Sequence, residues 1–337
     1  MTTILGSPRL VLMRLRRQMS TRSIEVTHLP VFPSYWPPHG VDTFEPKPLI
    51  PRPYTLPCAE KGTFFTITDE LYTGKGQWSQ VYRGTLICPS SPPIDDAVLK
   101  VYCEPLFPPC GQEDYQTPPE AISILSDPDK ESHRYTGELM AWQESWAYNK
   151  LAPLQGKCVP KFFGAFQSSV FGDNRIHMAT LMSYVDGKHI VERCSELVES
   201  KSDLYEEQWY PKMRDVYELT HRIHELGVAN LDIRKSNIKI DPESGRVVFF
   251  DFASARPSRF PTEEDAKIHR VEAGLQYDSN NLDSLLYAIC GNEHDSHQFY
   301  RRRAKFMEWA IEYCSHEPWF KALGNEFEFL VQAELPL

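Results

Sequence analysis

Asp232 and Asn237 stand five residues apart in a polar loop, and Asp251 follows nineteen residues after Asp232. Asp251 ends the apolar run Val247-Val248-Phe249-Phe250, which reads as a buried strand. The spacing leaves room for one short hairpin, an arrangement that points two carboxylates and an amide into one cleft. Such a set suits phosphoryl transfer. One Asp orients or deprotonates the attacking hydroxyl, while the Asn and the second Asp hold magnesium on the phosphates. Oxygen ligands match that hard cation.

The segments that must position these groups precede them. Thr63 to Leu71 alternates as a strand and leads into Gly74-Lys75-Gly76-Gln77-Trp78-Ser79-Gln80-Val81. A Gly-x-Gly turn beside strands lets backbone approach phosphates closely. Ala97 to Tyr102 reads as a strand carrying one lysine, Lys100. Residues 104–134 are proline-rich and read as a loop insertion. A helix is expected from about Thr136 to Leu151, with Glu144, Ala147, Tyr148 and Leu151 on one face. Glu144 on that inward stripe needs a cation, for which Lys100 is the candidate and Glu138 a rival acid. Strands follow at Val159–Phe166 and Ile176–Tyr184, around a turn at 172–174. A helix from about Tyr210 to Leu226 stops at Gly227, and its His221 and His224 read as surface residues. After Asp251 the chain reads as irregular until Leu282, Leu285, Leu286 and Ile289 mark another helix. A last helix spans about Gln298 to Cys314, where Arg301-Arg302-Arg303 reads as a solvated face.

A chain of 337 residues can bury one large core or two lobes sharing a cleft. The net charge of −10 argues against a general nucleic-acid binder, whose footprint is basic. Eight scattered cysteines, with no Cys-x-x-Cys pair, point away from zinc or a disulfide framework and towards a reducing intracellular compartment. The sequence holds no apolar run of about 18 residues, so no membrane span is expected. Residues 1–24 carry five arginines and no acid, the composition of a mitochondrial transit peptide, or else a plain tail. The cytoplasm or nucleus is the expected location, with the mitochondrion as the alternative. Nine prolines between Pro30 and Pro57 make an extended arm that lies on the body or binds a partner's groove.

Taken in chain order, Gly74/Gly76, Lys100, Glu144, the 181–187 segment, Asp232/Asn237 and Asp251 resemble the motifs of the protein kinase superfamily, in a divergent, fungal-type form. The resemblance covers about residues 63 to 290. It implies an α+β, bilobal kinase-like fold: a small antiparallel β lobe over 63–185 and a mainly helical large lobe over 186–337, after an arm over 1–62. It implies ATP and Mg2+ as cofactors, with Asp232 as base, Asn237 and Asp251 as metal ligands, and Lys100 clamping phosphates with Glu144 as its orienter. Arg234 occupies the position of the family's catalytic-loop lysine. Gly74, Gly76, Ser79 (for the third glycine), Val81, Val98 (for the alanine near adenine), the gatekeeper Met182, and Tyr184 and Val185 at the hinge would surround the nucleotide. Asp283 resembles the buried Asp that anchors the catalytic loop.

Departures from the pattern concern regulation and substrate. Asn230-Leu231 replaces His-Arg, so activation through a loop phosphate is not expected. Ala253 replaces the glycine of Asp-Phe-Gly. No Ala-Pro-Glu lies between Asp251 and Asp283, so the large lobe is expected to be trimmed at its C-terminus. Three readings follow: a phosphotransferase acting on protein Ser/Thr, a small-molecule kinase similar to the aminoglycoside and choline kinases, or a pseudokinase scaffold that binds ATP without turnover.

Overall fold

Alternation along one strand organises the β half of the molecule. In β4 (Ser91–Tyr102) the odd residues Ala97, Leu99 and Val101 are buried among Ile24, Phe65, Tyr82, Leu86, Phe166, Ala179 and Leu181. Val98, Lys100 and Tyr102 point the other way, because successive side chains of a strand leave opposite faces. The one lysine of the strand is thus carried outside the apolar interior. The computed structural model describes residues 23–28, 63–108, 136–169, 176–199, 205–259, 263, 271–290 and 296–323.

Six antiparallel strands close into a barrel in the order β1-β2-β3-β4-β6-β5. They are β1 (Ser23–His28), β2 (Phe64–Tyr72), β3 (Gln80–Cys88), β4, β5 (Phe162–Ser169) and β6 (Ile176–Ser183). The glycine turn joins β2 to β3, and β3 lies between it and the lysine strand. The expectation of an extended arm over residues 1–62 needs correction: β1 pairs with β2 through Ile24 and Phe65, and with β5 through Val26 and Ser168. Ile24 is buried in the barrel core. Closure removes the two sheet edges that would otherwise face solvent. The remaining readings of the arm, at 1–22 and 29–62, lie outside the described residues, as do residues 109–135 of the insertion and the 172–174 turn. Ile24→Ala is expected to cost about 2–4 kcal/mol by leaving a cavity in the barrel. Urea denaturation reads the loss, and an unmoved midpoint would mean the barrel stands without β1.

Helix α1 (Gly137–Lys150) begins at Thr136, whose side chain accepts from the Leu139 amide at 3.1 Å, a regular N-cap. It is buried nearly all round, with Glu144, Ala147, Tyr148 and Leu151 on the expected stripe. Beyond β6 come the pair β7 (Lys188–His189), helices α2 (Ile190–Glu199) and α3 (Tyr205–Glu225), and strand β8 (Val228–Ala229). The hairpin β9 (Ile238–Ile240) and β10 (Val247–Phe249) leads to β11 (Arg256–Pro257), α4 (Val271–Cys290), α5 (Ser296–Cys314) and α6 (Pro318–Leu323). The fold is α+β, with one antiparallel barrel and a helical remainder.

Helix α3 starts five residues before the expected Tyr210 and runs through Pro211. Trp209 and Tyr210 pack there on Phe306 of α5, with centroids 5.5 Å away, so tertiary burial carries the early turn. Helix α4 begins eleven residues before Leu282, inside a stretch expected to be irregular. Its early residues lack an apolar stripe because Asp278 there faces inward. Arg303 is likewise buried, contrary to a solvated run, and pairs with Asp283. No described helix is long and apolar enough to cross a membrane.

Candidate active site

Four separate chain segments bring their ionic groups to one place. Lys100 of β4 donates to Glu144 Oε1 of α1 at 3.2 Å and to Asp251 Oδ1, just past β10, at 2.5 Å. Its ammonium is raised above its ordinary pKa. Burial alone would lower it, and the charges of Asp251 and then Glu144 outweigh that. Glu144 is wholly buried and fully partnered. Its Oε2 accepts from the Tyr102 and Thr180 hydroxyls at 2.5 Å each, and its Oε1 also accepts from the Phe252 amide at 3.3 Å. Thr180 stands opposite Lys100 in the β4–β6 ladder, so strand register builds this cluster. Burial, followed by the Glu144 charge, raises the Tyr102 pKa well above normal and keeps its hydroxyl a donor. Glu138 is exposed, and the acid that meets Lys100 is Glu144.

Asp251 and Leu231 both adopt left-handed backbone, at φ 65° and 61°. Non-glycine residues rarely do so without surrounding contacts that hold them there. Phe252 supplies one such contact, wholly buried and edge-on to Tyr148 at 5.3 Å. Burial works against the Asp251 charge, yet Lys100 holds the carboxyl below its ordinary range. The amide of Ala253 bonds Asp251 Oδ1 at 3.4 Å.

Asp232 takes Asn237 Nδ2 on Oδ2 at 2.7 Å, and the same amide reaches its carbonyl at 3.1 Å. That orientation turns Asn237 Oδ1 away from Asp232. Arg234 Nε stands 3.1 Å from Asp232 Oδ1, with its side chain 56% exposed. Burial pushes the Asp232 carboxyl up to about 7 against the pull of Arg234, and the Asp251 charge adds to the rise. An acid poised there holds or takes a proton near neutral pH. Asn237 Oδ1 and the Asp251 carboxylate are hard oxygen donors, and that donor set fits magnesium.

The loop carrying Asp232 is anchored by Asp278, not by Asp283. Asp278, 0% exposed in α4, accepts from the amides of Asn230 at 2.8 Å and Leu231 at 2.7 Å, and bonds His224 Nε2 at 2.9 Å. His224, read as a surface residue, is therefore part of the anchor. Asp283 lies nearer the surface, 45% exposed, on Arg303. The two acids sit five residues apart on one helix, and only the position of α4 distinguishes them. Asp278→Ala is expected to cost about 3 kcal/mol or more, since it orphans the two buried amides of Asn230 and Leu231. Thermal melting reads it, and Asp283→Ala should cost well under half as much.

The nucleotide-contact candidates lie on β3, β4 and β6 and on the segments beside them. Gly74 and Gly76 have φ of 125° and 83°, which only glycine adopts readily. Both amides are engaged, Gly74 N with Gln80 Oε1 at 2.7 Å and Gly76 N with the Leu106 carbonyl at 2.8 Å. Ser79 is buried, and Val81 packs against the main core, as do Val98 and Met182, which stand opposite each other in the ladder. The Tyr184 amide donates to the Asp96 carbonyl at 2.7 Å, and the Val185 carbonyl accepts from Lys239 at 2.9 Å. Lys239 and Asp278 are residues that sequence reasoning passed over, as are Tyr102 and Thr180. Compared with models of protein families and with curated protein sequences, the chain finds no match.

Proposed function

We propose that the protein is an ATP-dependent phosphotransferase of the protein-kinase-like superfamily, with a bilobal fold of that type, transferring the γ-phosphate to protein Ser/Thr. One observation carries the reading. Lys100 bridges Glu144 and Asp251, while Asp232 and Asn237 stand bonded on the neighbouring loop, so cation, base and oxygen donors come together from four segments. Glu144 orients Lys100 towards the α- and β-phosphates. Asp232 takes the acceptor hydroxyl's proton as the phosphoryl group departs, and Arg234 balances charge on that group. Asn237 and Asp251 would hold magnesium, which would supply charge neutralisation on the phosphates.

The test is ADP release and intact mass after incubation with ATP and magnesium. Turnover or added phosphate supports the reading. A second reading, a scaffold that binds nucleotide without turnover, is favoured by the engaged amides of Gly74 and Gly76. ATP with magnesium would then raise the melting temperature while no ADP appears.

A further inference from the structure

Strand β9 carries Lys239, two residues beyond Asn237, and its pairing with β7 and β10 sets it opposite His189 and Val248. Its Nζ crosses to the 184–185 segment, donates to the Val185 carbonyl at 2.9 Å and stands 4.9 Å from the Tyr184 ring centroid. The same ring carries the Arg83 guanidinium at 3.9 Å. The segment that would read a nucleotide base in the proposed site thus has a main-chain acceptor already covered by the Lys239 cation, while the Arg83 charge is paired with Asp96 at 2.6 Å.

An ammonium offers three donors and no acceptor. With one donor on Val185, the others need oxygen or ring-nitrogen partners. Adenine would bring its donating 6-amino group to a covered carbonyl and an ammonium, a donor facing donors. Both purines accept at N7, but guanine brings at position 6 a carbonyl oxygen that accepts where the amino group of adenine donates. We infer that Lys239 selects the base, so that the site takes a guanine nucleotide at least as readily as ATP. This rests on the proposal that the cleft binds a nucleoside triphosphate.

The experiment titrates the full chain with fluorescent N-methylanthraniloyl GTP and ATP, each with magnesium, for wild type and Lys239→Met. Wild type is expected to bind the GTP probe as tightly as the ATP probe or more so. The variant, with its cation gone and the Val185 carbonyl released, is expected to shift the affinity ratio at least about tenfold towards ATP, the scale of one charged hydrogen bond. Unlabelled ITP, which keeps the 6-carbonyl and lacks the 2-amino group, should displace the GTP probe from wild type within about threefold of GTP itself. A wild type that prefers ATP more than about tenfold, or a ratio left unchanged by the substitution, overturns the role of Lys239 and leaves the phosphotransferase reading intact. Failure of wild type to bind either probe overturns that reading, and this one with it.

Discussion

Asp232→Asn is expected to lower ATP turnover by about 10²–10⁴-fold, the usual loss on removing a positioned base. The fold should survive, because asparagine retains an oxygen for the Asn237 amide and the exposed Arg234 contributes little through its ion pair. Stability provides an independent signature. The folded Asp232 carboxyl titrates at about 7, above the value near 4 expected when unfolded. Between those two values the native state holds a proton that the unfolded chain has released, so stability falls as pH rises through that window and levels off above about 7. The nucleotide-free variant lacks this decline. Its melting temperature should therefore exceed that of wild type at pH 8, with the gap narrowing towards pH 4. Turnover by wild type should rise through neutrality as the base loses its proton. A variant as active as wild type would remove Asp232 from the chemistry. A gap that widens towards low pH would mean the carboxyl is not raised.

Lys100→Met should be damaging in two separable ways. The side chain is 6% exposed and is the cation bonded to Glu144, which is wholly buried. Removing one partner of a buried pair costs about 3–5 kcal/mol, which corresponds to a drop of about 10 °C in melting temperature. Wild-type Lys100 stabilises fully below its unfolded value near 10.4, and the contribution is lost only as pH climbs past its raised folded value. Turnover should fall about 10²-fold or more as the phosphate clamp goes. The double variant Lys100→Met/Glu144→Gln separates the two effects. Glutamine still accepts from the Tyr102 and Thr180 hydroxyls and carries no charge, so stability should return in part, Asp251 still lacking its cation, while turnover does not. A single variant as stable as wild type would show that Glu144 does not depend on this cation.

Much of the site was legible in the chain itself. Asp232, Asn237 and Asp251 announce themselves by spacing, and Lys100 by being the one charge in an apolar strand. Glu144 stood on a helical stripe that needed a cation, and alternation along β4 decides which face carries Lys100. These are local patterns, set by the period of a strand or helix, and one sequence contains them entire. What only the tertiary structure decided are contacts between segments with no local signature. Strand β1 closes a barrel from within a stretch that reads as an arm, through partner residues some forty and one hundred and forty positions away. Asp278 rather than Asp283 holds the Asp232 loop, because a buried amide selects whichever acid the packed helix turns towards it. Lys239 reaches Val185 across a pairing of two-residue and three-residue strands, too short to give a periodic signal. Local periods assign each side chain a face, and long-range packing decides what that face meets.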